Sequence, residues 1–138
     1  MTLGFKVGSE LKEIGSPDLL QAFFSSIYCN LEPQGWGTHF PYIMNELYGG
    51  LLSAHHASLA LAELDSVKKQ FEHLPIDKVV YNSEDLSYVP LWVNRIEANG
   101  TNLSDYFIIS TDGNLIELLK ESLSQLQKVG GYLSIEKY

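Results

Sequence analysis

The sequence predicts an α+β fold, in which a small mixed or antiparallel sheet packs against about four helices in the order ββαααββαβ. Three observations lead to this prediction. The 138 residues are the usual length of one domain. Apolar residues recur at helical spacing in several separate stretches, and short runs rich in β-branched or aromatic residues lie near both ends of the chain and between helical stretches. Since no repeat or linker is visible, we expect residues 1–138 to form a single domain.

Two strands and a helix are predicted for the first part of the chain. Residues 2–7 and 11–14 have the composition of strands and are separated by a turn. Ser16 is placed to cap a helix that begins at Pro17, because proline suits the first helical position. Pro33 ends this helix. Its predicted buried stripe comprises Leu20, Phe23, Phe24, Ile27 and Leu31.

Two further helices are predicted in the middle of the chain. The first covers residues 41–48 and stops at a pair of glycines. Ser53 caps the second, which covers residues 54–73. The buried side of this second helix comprises Ala57, Ala60, Leu61, Leu64, Val67 and Phe71, continued by Leu74.

The last part of the chain is predicted to contain three strands and one helix. The strands cover residues 78–81, 106–109 and 132–136. Residues 82–105 form an irregular region, and loops of that length inside a compact domain are usually functional. Thr111 or Asp112 caps the last helix, whose buried positions include Ile116 and Leu126. We expect one core, formed by Leu20, Phe23, Phe24, Ile27, Leu61, Leu64, Leu119 and Leu123.

The charge of the chain favours a basic protein partner over nucleic acid or a membrane. The formal net charge is −8, no Lys or Arg occurs from residue 13 to residue 67, and Arg95 is the only cation from residue 79 to residue 119. Such a surface repels nucleic acid phosphates and anionic lipids, and it accelerates encounter with a basic protein. The alternative explanation of this charge is solubility alone.

No segment for export or membrane insertion is recognisable. The N-terminus lacks a basic start followed by an apolar run, and no stretch approaches about 18 apolar residues. Cys29 is the only cysteine and cannot form a disulfide within the chain, which is typical of a reducing compartment. We therefore expect a cytoplasmic protein without a transmembrane helix.

No catalytic set or metal site is apparent. His55 and His56 are adjacent, whereas two zinc ligands on one helix need a spacing of about three or four residues. Cys29 is predicted to be an inert packing residue of the first helix. Glu84 and Asp85 could serve as acid and base, although capping and solvation are the commoner roles of such a pair. We expect a protein that is not an enzyme and has neither metal nor cofactor; the alternative is a small-ligand-binding domain or an enzyme that uses Glu84 and Asp85.

Four segments of the chain carry a family pattern. They are GSPDLLQAFFSSI at 15–27, WGTHFPYIMNELYGGLL at 36–52, EDLSYVPLW at 84–92 and LSDYFIISTDG at 103–113. In this order and at these intervals they resemble the immunity protein 70 family of bacterial polymorphic toxin systems. The chain departs from the pattern where prolines are usually paired, near Pro75 and Pro90, and where Val93 replaces the usual glycine. The resemblance implies a small cytoplasmic protein that binds and neutralises the catalytic domain of a toxin encoded beside it.

The partner-binding residues are predicted by elimination, because the helices use their apolar faces for the core. What remains is the loop around Trp36, which two glycines flank, and the irregular region 82–105. The expected partner is a basic C-terminal toxin domain, possibly a nuclease; neither nucleic acid nor a membrane is expected, and the oligomeric state stays open. The predicted contacts are Trp36, Glu46, Glu84, Asp85, Tyr88 and Trp92. If Glu84 and Asp85 do not bind the partner, the interface is expected at Glu32 and Glu46, the acidic positions that flank the Trp36 loop. The alternative is that both tryptophans cover edges of the core.

Overall fold

The computed structural model of the chain describes residues 3–15, 17–75, 78–85, 87, 102–105, 107–109 and 113–137. Its strands are β1 (Leu3–Val7), β2 (Glu10–Gly15), β3 (Leu51–Ser53), β4 (Ile108–Ile109), β5 (Gly113–Asn114) and β6 (Tyr132–Lys137). Its α-helices are α1 (Pro17–Leu31), α2 (Ala57–Phe71) and α3 (Leu115–Val129). A π-helical turn covers Tyr42–Leu47, and 3₁₀ turns cover Ala54–His56 and Leu103–Asp105. The predicted α+β fold is confirmed.

Four of these strands form an antiparallel sheet in the spatial order β2-β1-β6-β3. In the β1–β2 hairpin Val7 lies opposite Glu10, and Gly8 in the turn has a φ of 60°, which glycine adopts at little cost. Val7 also lies opposite Leu133, so the first and last strands are neighbours in the middle of the sheet. The strands β4 and β5 pair separately.

The helices and the sheet enclose one hydrophobic core. Helix α3 packs against β1, β2 and β6, and α2 packs against α3. The core positions predicted from helical spacing are buried, apart from Leu61 and Leu74, which are partly buried at the edge of the core. No helix in the described part of the chain is long and apolar enough to cross a membrane.

Residues 78–81 do not form the predicted strand. Their backbone is instead held by side chains of α1 (Pro17–Leu31). The Ser26 hydroxyl accepts from the Val80 N–H at 3.0 Å and donates to the Val80 carbonyl at 3.3 Å. The Asn30 amide donates to the Lys78 carbonyl at 2.9 Å. These side chains thus satisfy backbone groups that a neighbouring strand would otherwise have paired.

Other boundaries also differ from the predictions. Residues 51–53 form a short edge strand that was not predicted, and the helix predicted over 41–48 is π-helical. The helix predicted over 54–73 divides into a 3₁₀ turn, capped by Ser53, and α2. Helix α3 is capped by Asn114, whose side chain accepts from the Ile116 N–H at 2.8 Å, and not by Thr111 or Asp112, which lie outside the described residues.

Candidate functional site

The loop that follows α1 is folded around the carboxylate of Glu32. This side chain is buried, with 3% exposure, at the end of the helix. Its Oε2 accepts from the Thr38 N–H at 2.8 Å and from the Thr38 hydroxyl at 3.0 Å. The His39 N–H donates to Oε2 at 3.1 Å, and the Phe40 N–H donates to Oε1 at 2.9 Å. Glu32 is thus engaged inside the loop, so it is not the surface contact that the sequence suggested as a second choice.

A second carboxylate fixes the far end of the same loop. Glu63, on α2, accepts from the N–H groups of Tyr42 and Ile43 at 3.1 and 3.0 Å, both through Oε1. These N–H groups open the π-helical turn and have no partner within it, so the carboxylate acts as a cap supplied from another helix. The loop between Glu32 and Ile43 is therefore held at both ends.

Glu63→Gln is expected to make stability less dependent on pH. Burial raises the pKa of the Glu63 carboxyl, the N–H groups of Ile43 and Tyr42 lower it by less, and the charges of Glu32 and Glu46 raise it further. Because the folded pKa exceeds the unfolded value, the stabilising contribution is complete below the ordinary Glu pKa and is lost as pH rises through the raised value. Glutamine retains the accepting Oε1 but does not titrate. When the free energy of unfolding is measured in urea at several pH values, the value for the variant should increase relative to that of the wild type as pH rises. A difference between the two that stays constant with pH would contradict this expectation.

The loop presents Trp36 in one fixed orientation. Its Nε1–H donates to the Met44 carbonyl at 2.7 Å. Its ring centroid lies 5.2 Å from that of Tyr28 and 4.8 Å from that of Tyr48. Gly37 beside it has a φ of 79°, a left-handed backbone conformation that glycine adopts at little cost and other residues rarely adopt. Trp36 is half-buried, so it packs on the core and still shows part of its ring to solvent.

A groove of about 410 Å³ brings this loop together with the start of the predicted irregular region. We call it the aromatic groove; it is lined by Gln21, Phe24, Ser25, Tyr28, Trp36, Tyr48, Asn82, Ser83 and Glu84. The Ser83 N–H donates to the Ser25 hydroxyl at 3.1 Å, which ties the lining residues 82–84 to α1. Two residues predicted to bind a partner, Trp36 and Glu84, thus lie in the same concave surface although 48 positions separate them in the sequence.

The family of the chain is shown by comparison with known protein families. The family model described as "Immunity protein 70" matches residues 5–135 of the chain. The chain belongs to the immunity protein 70 family. No curated protein and no solved structure shows significant similarity to it. As a member of this family the chain is an immunity protein of a toxin system, a class whose function is to bind a cognate toxin.

The other predicted contacts of this immunity protein that the structure describes are not among the residues that line the aromatic groove. Glu46 is half-buried on the π-helical turn, where its Oε1 lies 2.8 Å from Nδ1 of His56. Asp85 is exposed, and its Oδ1 accepts from the N–H and hydroxyl of Ser87 at 3.2 and 2.7 Å. Tyr88 and Trp92 lie outside the described residues. The contact role of all these residues stays a prediction.

Tyr28 and Tyr48 are aromatic residues of the groove to which the sequence analysis assigned no role. Tyr48 is 54% exposed, which is unusual for an aromatic ring that also packs on Phe24, at 5.1 Å between centroids. Both tyrosines lay within stretches interpreted as helix. No local signal distinguishes an aromatic residue on a groove from one at the edge of a core.

Cys29 and the possible metal ligands among the described residues do not form an activated site. Cys29 is exposed on α1, and was wrongly predicted to be a packing residue; partial burial of its thiol raises its pKa, which disfavours the reactive thiolate. Among the described residues, no group of three or more His, Cys, Asp or Glu side chains is placed to hold a metal ion.

Proposed function

We propose that this immunity protein binds the C-terminal toxin domain encoded beside it in the cytoplasm, forms a one-to-one complex and blocks the toxin without catalysing any reaction itself. The observation that carries the proposal is the family match over residues 5–135. The chain as a whole, residues 1–138, acts in this proposal as one binding domain.

The charge of the protein supports a basic target. Its net charge is −8, and Glu84 and Asp85 are exposed beside the aromatic groove. Toxin domains that cleave nucleic acid have basic clefts for phosphate, and exposed carboxylates are suited to occupy the positions of phosphates there. We therefore propose a basic toxin domain, with a nuclease as the class that fits best.

The direct test uses the purified protein and the neighbouring toxin domain. We expect a one-to-one complex in analytical ultracentrifugation and loss of toxin activity at equimolar concentration. Absence of binding to the neighbouring toxin domain would contradict the proposal. Stoichiometry far below one inhibitor per toxin would indicate an enzyme instead.

Removing the charges of Glu84 and Asp85 should weaken the complex. Glu84→Gln with Asp85→Asn keeps the shapes of both side chains and the acceptor for Ser87, and both residues are exposed, so stability should change by less than about 0.5 kcal/mol. Binding should weaken by more than about 2 kcal/mol if the pair is central to the contact. The association rate of the wild type should fall as salt rises, and that of the variant should respond less.

The matched control is Glu10→Gln with Glu72→Gln. It removes the same number of charges from exposed positions that do not line the groove. Equal weakening by both double variants would show that net charge alone matters. Wild-type affinity in the folded Glu84 and Asp85 variant would place the interface elsewhere.

A further inference from the structure

We propose that the aromatic groove receives an arginine side chain of the toxin domain. This inference rests on the proposed function and names the group that the groove recognises. A guanidinium requires flat aromatic faces on which to stack and a carboxylate oxygen pair to accept its N–H groups. In the groove, the partly exposed aromatic residues Trp36 and Tyr48 are proposed to meet the first requirement, and the lining residue Glu84 to meet the second.

The aromatic faces are held in place before any partner arrives. The Nε1–H of Trp36 is bonded to the Met44 carbonyl at 2.7 Å, and the ring is in contact with both Tyr28 and Tyr48. Tyr48 in turn packs edge-to-face on the buried Phe24. Since the rings are already ordered, little conformational entropy is lost when a cation stacks on them.

The carboxylate of Glu84 is placed by the backbone and is available. Its own N–H donates to the Asn82 side chain at 2.9 Å, and the adjacent Ser83 N–H is bonded to Ser25 of α1. Within the part of the chain that the structure describes, no hydrogen bond or ion pair engages the Glu84 carboxylate. It is therefore an acceptor for a group from outside.

The charge of the groove selects a cation. None of the described residues that line it is Lys or Arg. The cavity of about 350 Å³ beside α2 and α3 differs, because Lys68 and Lys120 line it together with Asp65. An anion would be repelled by Glu84, and the compact charge of a lysine would gain less from aromatic residues than the planar guanidinium of an arginine.

The first test does not need the toxin. The ¹⁵N-labelled protein is titrated with N-acetyl-arginine amide at millimolar concentration and, separately, with the neutral N-acetyl-citrulline amide. Saturable shifts of the Trp36, Tyr48 and Ser83 signals are expected with the arginine compound only, and Glu84→Gln or Tyr48→Leu should abolish them. Equal responses to the two compounds, or no saturable response to arginine, would overturn the inference.

The second test uses the complex. Each arginine of the toxin domain is changed to lysine in turn and measured against wild-type and Glu84→Gln immunity protein. For one arginine, the change to lysine should weaken binding to the wild-type immunity protein about tenfold and should hardly weaken binding to Glu84→Gln. The control Glu121→Gln, at an exposed position, should show no such coupling. A complex in which no arginine couples to Glu84 would overturn the inference and leave the proposed function standing. Absence of any complex would instead refute the proposed function. The first test alone would then decide whether the groove binds an arginine side chain.

Discussion

Replacing Glu32 by alanine should destabilise the protein by about 2–4 kcal/mol. The carboxylate receives three backbone N–H groups and one hydroxyl from Thr38, His39 and Phe40. Hydrogen bonds to a charged group each contribute about 1.5–3 kcal/mol, and the loss is partly offset where water can reach the freed donors. Thr38 and His39 are exposed, so water can replace those bonds, but Phe40 is buried and its N–H would lose its partner.

Two comparisons separate this effect from a general effect of charge. Glu32→Gln keeps the size of the side chain but turns an N–H₂ group toward the loop donors, so it should lose part of the same stability. Glu84→Ala, at an exposed carboxylate, should leave the free energy of unfolding within about 0.5 kcal/mol of the wild type. Chemical denaturation followed by tryptophan fluorescence measures all three variants. An unchanged midpoint for Glu32→Ala would show that the loop does not depend on this carboxylate.

The helices could be predicted from the sequence because burial on a helix has a period that is visible along the chain. Leu119, Leu123 and Leu126 are all buried on α3, as their spacing predicts. Caps were less predictable, since three residues able to cap lie within positions 111–114 and each offers a suitable oxygen. Strands were predicted unevenly: those at 2–7, 11–14 and 132–136 agree with β1, β2 and β6 to within about one residue, whereas two others were not predicted correctly. The edge strand at 51–53 is too short for a pattern, and residues 78–81 are bonded to Ser26 and Asn30 and not to a strand.

The groove was predictable only in part, because it is assembled from residues distant in sequence. Trp36 was found from its flanking glycines, and Glu84 from its place in an irregular acidic region. Their proximity depends on the bond between Ser83 and Ser25, across 58 positions, which no local pattern reveals. The same holds for Glu63, which caps a turn 20 positions before it. An acidic residue in a helix has no sequence feature that distinguishes a cap for another segment from a solvated charge.

Replacing Phe23 by alanine should cost about 3–5 kcal/mol, the largest effect that we expect from one substitution. The ring is fully buried on α1, and its centroid lies 5.6 Å from Phe24, 6.3 Å from Phe71 and 5.5 Å from Phe107, each near an edge-to-face angle. Alanine would leave a cavity and remove three aromatic contacts at the place where α1 meets α2. Phe23→Leu should cost less because it fills more of that space, and Leu59→Ala, at a position 48% exposed on α2, should change stability by less than about 0.5 kcal/mol. A Phe23→Ala variant with the thermal midpoint of the wild type would mean that this aromatic cluster is not the centre of the core.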